Sequence, residues 1–169
     1  MIEFDREYNA YGELSNFYAC DFVYQGKHYP SAEHLYQARK YLDHPSAENE
    51  TYAELIRTTS KPWGAKLLGQ RSKMQVFKWQ LPLNEIIDAH QPTMCPDWNE
   101  RKLHVMKEVL LCKFQQSEQC RRVLLATGDA QLVLDMRDPY WGNGKGNGVN
   151  HLGQLLQEVR AESKISASA

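Results

Sequence analysis

Apolar residues along the chain fall into short periodic runs, and the period changes from one run to the next. Between Trp98 and Gln116, Leu103, Met106, Val109, Leu110 and Phe114 recur every three or four positions, with Lys113 in the same row. That spacing puts them on one face of a long α-helix. Ser31, directly after Pro30, is a good N-cap for SAEHLYQARKYL, and no breaker follows until Pro45. A helix is therefore expected there, with Leu35, Ala38 and Leu42 as its apolar stripe. Further helices are expected over Glu48–Thr58 and after Pro62 through AKLLG, the latter ended by Gly69. Arg121–Ala126 continues helically until Thr127-Gly128-Asp129. Asn150 is read as the cap of a last helix, with Leu152, Leu155, Leu156 and Val159 turned inward.

Strand signals are fewer. CDFVYQGKHYP reads as a hairpin turning at Gln25-Gly26, and QLVLDM as a short buried strand. QLPLNEIIDAHQPTMCPDW holds three prolines and predicts an irregular excursion around a short helix. The pattern as a whole predicts an α+β fold, one helix-rich domain with a few short strands over residues 1–162. The tail 163–169 is expected to be flexible.

Composition narrows the function classes. With 169 residues, 42% of them hydrophobic, and a net charge of −1, the chain suits one domain with a sizeable core. It has no strong basic surface for duplex nucleic acid. Cys20, Cys95, Cys112 and Cys120 form no C-x-x-C pair and read as reduced thiols of a cytoplasmic protein. No apolar run is long enough to span a membrane.

Candidate chemistry lies in two places. Glu33, Gln37 and Lys40 stand at i, i+4 and i+7 of the Ser31 helix, stacking a carboxylate, an amide and an amine on one face. The spacing fits a solvated charged face as well as a catalytic one. The stretch DPYWGNGKGNGVNHLG holds five glycines but matches neither the P-loop nor the dinucleotide fingerprint. Gly142, Gly144 and Gly146 allow close backbone approach to a ligand, Trp141 offers a stacking face, and Asp138 a second carboxylate. A mobile surface loop with Trp141 in the core fits equally. Lys66 is a surface lysine or a partly desolvated one, and Trp98 a packing anchor or an aromatic wall. Two carboxylates, aromatic rings and a glycine loop suit hydrolysis of a glycosidic bond, which passes through a cation-like ribosyl transition state.

GELSNFY (12–18), YPSAEHLYQARK (29–40), AKLLG (65–69), Trp98, Met106, Lys113-Phe114, LLATG (124–128) and DPYWGNGKGNGVNHLGQLLQEVR (138–160) occur in the order seen in YbiA-like proteins. The chain thus resembles the NADAR superfamily, from about residue 11 to 160. The resemblance implies a YbiA-like fold and an N-glycosidase acting on a small molecule, a ribosylated base. The substrates it implies are early phosphorylated ribosylaminopyrimidine intermediates of riboflavin synthesis, releasing ribose 5-phosphate, or ADP-ribosylated guanine. It implies no metal and no redox cofactor.

By motif position, Glu33 resembles the leading catalytic carboxylate, with Asp138, Trp141 and Trp98 at active-site positions. Lys66 would bind phosphate or take part directly, and Arg71 is a second phosphate candidate. Asn16, Phe17, Gly142, Gly144 and Asn150 would shape the pocket, and Trp98 and Trp141 would sandwich the base. Three departures stand out: Leu134 where many relatives carry glutamate, with Asp135 following; Gln70-Arg71 where they often continue G-R; and a longer prolyl stretch from Gln80 to Asp97. The Leu134 departure keeps open a second reading, a module that senses ADP-ribose or a related nucleotide without cleaving it.

Overall fold

The computed structural model describes residues 1–71 and 83–167. Its centre is α1 (Ala32–Leu42), in which every residue from Ala32 to Tyr41 is buried. Ser31 starts it as expected, its Oγ accepting the His34 backbone N–H at 3.3 Å. The His34 ring locks the same corner. Nε2 lies 3.0 Å from the Thr59 carbonyl and must be the protonated nitrogen, so Nδ1 accepts from the Ser31 hydroxyl at 2.7 Å. Burial lowers the His34 pKa and keeps the ring neutral.

Around α1 pack α2 (Ala47–Thr58), α3 (Pro62–Gln70) and, after α4 (Leu83–His90), the long α5 (Trp98–Gln116). α6 (Glu118–Ala126) and α7 (His151–Ala167) complete the helical shell against α5. The apolar row read from the sequence faces inward: Met106, Val109, Leu110 and Phe114 are buried, as are Leu152, Leu155, Leu156 and Val159 of α7. Lys113 shares that row and is fully buried, its Nζ donating to the Ser15 carbonyl at 2.7 Å.

Two small sheets serve as ties. β2 (Phe22–Tyr24) and β3 (Lys27–Tyr29) form the expected antiparallel hairpin, with Gln25 and Gly26 at φ 49° and 78°. Positive φ at both turn positions is what a two-residue hairpin turn needs. β1 (Ile2–Phe4) runs parallel to β4 (Leu132–Leu134), Phe4 opposite Leu134, and Asp135 N–H donates to Phe4 C=O at 2.8 Å. This pairing brings the start of the chain beside the segment that leads into the glycine loop.

Several boundaries differ from those read in the sequence. Gly69 does not end α3; the helix continues to Gln70, and Arg71 takes the left-handed conformation (φ 51°). A helix break at Ser117, whose Oγ accepts from Cys120 N–H, separates α5 from α6. Leu42 is only half-buried. The last helix runs on to Ala167, so residues 163–167 of the stretch read as a tail are helical. The prolyl excursion contains the expected short helix, α4, while its first residues, 80–82, lie outside the described part.

Asn150 stands at the N-cap position of α7, its carbonyl accepting the Gln154 N–H at 3.2 Å, but its side chain does not cap the helix. It sits at φ 60° and turns its side chain onto β4, Oδ1 accepting Leu134 N–H and Nδ2 donating to Leu132 C=O, both at 2.9 Å. Asparagine tolerates left-handed backbone, and its amide here mimics a neighbouring strand. No helix among the described residues is long and apolar enough to cross a membrane. Replacing Asn150 by Ala removes both bonds and leaves a backbone donor and acceptor of a buried strand unsatisfied. Stability should fall by about 2–3 kcal/mol in denaturant titration, at an unchanged m-value.

Candidate active site

A cleft of about 140 Å³ opens where α1, α3, the Ser15–Phe17 segment and the chain after β4 converge. α1 supplies its floor. Glu33, Tyr36, Gln37 and Lys40 share one helix face and all line the cleft. This face is not solvated: Glu33, Gln37 and Lys40 are 5%, 2% and 7% exposed. Gln37 Nε2 donates to Glu33 Oε1 at 2.7 Å. Burial raises the Glu33 pKa, against the opposing pull of Lys66, the Gln37 hydrogen bond and Lys40. Burial likewise pulls Lys40 down to about 8, only partly offset by Glu33 and reinforced by Lys66 and Lys102. The floor therefore holds a desolvated carboxyl that keeps its proton more readily than usual beside an ammonium that gives its proton up more readily than usual.

The walls are aromatic. Phe17 and Trp63 pack with ring centroids 5.2 Å apart, and Lys66 Nζ lies 5.2 Å from the Trp63 ring and 5.7 Å from Phe17. These contacts hold the ammonium against two π faces, within reach of the Glu33 charge. Opposite stand Trp141 and Tyr36, edge to face at 5.6 Å. Asp138 lines the same side, with Oδ1 accepting the N–H groups of Tyr140 and Trp141 at 2.9 Å each.

Of the residues singled out in the sequence, the cleft brings together Glu33, Gln37, Lys40, Asp138, Lys66, Asn16, Phe17 and Trp141, with Leu134 in its wall. Trp98, Arg71, Gly142, Gly144 and Asn150 do not line it. Trp98 is a buried packing residue lying 5.3 Å from the Tyr36 ring and does not line the cleft, so Trp98 and Trp141 flank Tyr36 and not a ligand. Arg71 turns away and donates to the Pro92 carbonyl at 3.1 Å. Asp135 is tied to Asn143 and Lys145 at 2.9 and 2.8 Å, outside the cleft, while Leu134 itself forms part of the wall.

The glycine loop is not a phosphate cradle. The N–H of Gly142 is taken by Asp138 C=O, those of Gly146 and Gly148 by Asn143 C=O, and that of Asn150 by Gly142 C=O. Gly142 is required because a Cβ there would lie 2.8 Å from the Leu134 carbonyl, and Gly144, at φ 54°, packs on Gly148. The loop folds on itself to hold Asp138 and Trp141 in the wall.

Sequence reasoning left out other lining groups. Tyr36 and Trp63 stand one helical turn from Glu33 and Lys66, a spacing that would have found them. Asp5, Arg6 and Glu7 form the rim only because β1 pairs with β4, and no local pattern announces that. Among the described residues, no group of three or more His, Cys, Asp or Glu side chains is arranged to hold a metal ion.

A buried carboxyl near two lysines, under aromatic walls in a helix-rich α+β frame, forms a cleft of the kind that takes a small molecule. The chain belongs to the NADAR domain family, whose model matches residues 3–164. It is 38% identical to N-glycosidase YbiA of Escherichia coli (strain K12) over 168 residues, 98% of this chain and 89% of that one. It is 32% identical to an N-glycosidase of Nostoc punctiforme, over 95% of this chain and 91% of the relative. A riboflavin biosynthesis protein of Vibrio vulnificus is also 32% identical, over 90% of this chain but 35% of its own length. The NMR structure of E. coli YbiA superposes with a TM-score of 0.76 at 34% identity, covering 99% of this chain and 86% of that chain. The expected helix-rich α+β fold is the one observed.

Gly69 sets the position of Gln37, because a Cβ at residue 69 would run into the Gln37 side chain, with its Cδ at 2.7 Å. Gly69→Ala should displace the amide from Glu33. In a carbon-13 NMR titration the Glu33 midpoint should then move to higher pH, since the lost hydrogen bond favoured the anion. An unchanged midpoint would show that Gln37 does not hold Glu33.

Proposed function

We propose that this protein is an N-glycosidase, a hydrolase that cleaves the bond between a ribosyl C1 and the nitrogen of a base. The substrate is an early phosphorylated ribosylaminopyrimidine of riboflavin synthesis, yielding ribose 5-phosphate and free base, or an ADP-ribosylated guanine. The observation that carries the reading is Glu33: a carboxylate 5% exposed on a central helix, oriented by Gln37, in a family whose relatives are named N-glycosidases.

Roles follow from the chemistry. As the C1–N bond lengthens, positive charge grows on the ribosyl ring, and the Glu33 carboxylate stabilises it or takes the proton of the attacking water. Lys40, with its proton loosened by burial, delivers a proton to the departing nitrogen, so that water adds to C1 and the base leaves neutral. Asp138, with Oδ1 committed to the loop backbone, has its other oxygen available for a ribose hydroxyl. Trp141 stacks on the base and Lys66 meets the phosphate. The four free thiols are in keeping with a reducing, cytoplasmic setting.

Glu33→Gln keeps the volume and removes the charge. It should lower kcat by about 10²–10⁴-fold, measured as release of ribose 5-phosphate or ADP-ribose, with an unchanged melting temperature. Turnover near that of the wild type would overturn the assignment. The apolar Leu134 in the cleft wall supports the second reading, a sensor of ADP-ribose or a related nucleotide; ligand binding with no release of free base would favour it.

The pH dependence should be bell-shaped. As pH rises, kcat/KM should first climb as Glu33 loses its proton, at a pH above the ordinary carboxylate range. It should then fall through about 8 as Lys40 loses its own. Lys40→Met should abolish the alkaline limb, and persistence of that limb would assign it elsewhere.

A further inference from the structure

Two buried side-chain oxygens have no hydrogen-bond partner among the described residues, Asn16 Oδ1 and Gln37 Oε1, and both residues line the cleft. They differ in what surrounds them. Gln37 has its Nε2 anchored on Glu33 and its Oε1 packed against the Gly69 backbone, so the free oxygen faces protein. Asn16 is different. Its Nδ2 is spent on the Met106 sulfur at 3.4 Å, and its Oδ1 is the uncommitted end of a side chain only 8% exposed.

The backbone ties Asn16 to the start of α1. The Asn16 carbonyl accepts the Glu33 N–H at 3.0 Å, and both residues line the cleft. A buried acceptor left without a donor is costly, and a ligand that brings an O–H to it relieves that cost. In glycoside hydrolysis the hydroxyl next to the reacting carbon forms hydrogen bonds that strengthen as the ring becomes cationic.

We propose that Asn16 Oδ1 accepts a hydrogen bond from the 2-hydroxyl of the ribosyl group whose C1 lies at Glu33, and thereby selects ribosyl over 2-deoxyribosyl substrates. The proposal rests on the N-glycosidase reading and adds to it a specificity-determining residue. A site built to receive a hydroxyl rejects the analogue that lacks it, because its own polar group is then left unpaired.

The test compares kcat/KM for a phosphorylated ribosylaminopyrimidine and its 2-deoxyribosyl analogue in the wild type, Asn16→Leu and Met106→Leu. Asn16→Leu should lower kcat/KM for the ribosyl substrate by about 10–100-fold and leave the deoxyribosyl value nearly unchanged, so that the ratio collapses. Met106→Leu, which removes the Nδ2 partner but not the acceptor, should keep the ratio. A parallel loss on both substrates with Asn16→Leu would overturn the proposal, pointing to a structural role or to a contact with the base amine. A second arm needs neither turnover nor a variant: binding of ribose 5-phosphate and 2-deoxyribose 5-phosphate to the wild type, followed by NMR. Tighter binding of the ribose compound is expected, and equal binding would overturn the proposal. Failure to cleave either substrate, with that binding preference intact, would count against the N-glycosidase reading alone.

Discussion

The structure depends on the burial of Glu33. Taking a carboxylate out of water is expensive, and the cost falls only if hydrogen bonds and opposite charges meet it. Here the Gln37 amide meets one oxygen, while Lys40 and Lys66 supply charge. Each partner depends on something further out. Gln37 needs the missing side chain at Gly69, Lys66 needs the Trp63 and Phe17 faces, and Lys40 needs the α1 floor buried against Trp98 and Tyr36. The packing of α3 and α5 on α1 is therefore both the core of the fold and the support of the site.

The same arrangement gives the site its chemical asymmetry. Burial moves Glu33 up and Lys40 down, so that each ionises nearer to neutral pH than it would in water. A carboxyl and an amine shifted in these opposite directions on one helix face suit the acid–base work of cleaving a C–N bond with water. The glycine loop contributes differently. By satisfying its own backbone donors it becomes a rigid bracket, and Asn150 fastens that bracket to β4 with two hydrogen bonds. Trp141 and Asp138 thus meet the α1 floor from the opposite side.

Local signals in the sequence were enough for most elements. Ser31, the Gln25-Gly26 turn and the Trp98–Gln116 row each encode their structure within a few residues, through capping, positive φ or helical period. Gly69 and Asn150 were misread because their reasons are tertiary: one makes room for Gln37, the other splints a strand distant in sequence. Spacing likewise showed that Glu33, Gln37 and Lys40 share a face but not that the face is buried, because burial comes from α3 and the Ser15–Phe17 segment closing over it. Motif resemblance brought in Glu33, Asp138, Lys66 and Trp141, all of which line the cleft. It brought in Trp98 and Arg71 as well, which pack outside the cleft. The Asp5–Glu7 rim was illegible, being created by a three-residue strand pairing across most of the chain.

The most direct test of the central role of Glu33 is a crystal structure with ribose 5-phosphate bound. The sugar is expected inside the cleft, with its anomeric carbon about 3–3.5 Å from the Glu33 carboxylate or from a water held by it. The phosphate is expected toward Lys66 and the ring hydroxyls toward Asn16 and Asp138. A sugar phosphate seated instead on the backbone of the Gly142–Gly148 loop, away from Glu33, would contradict it.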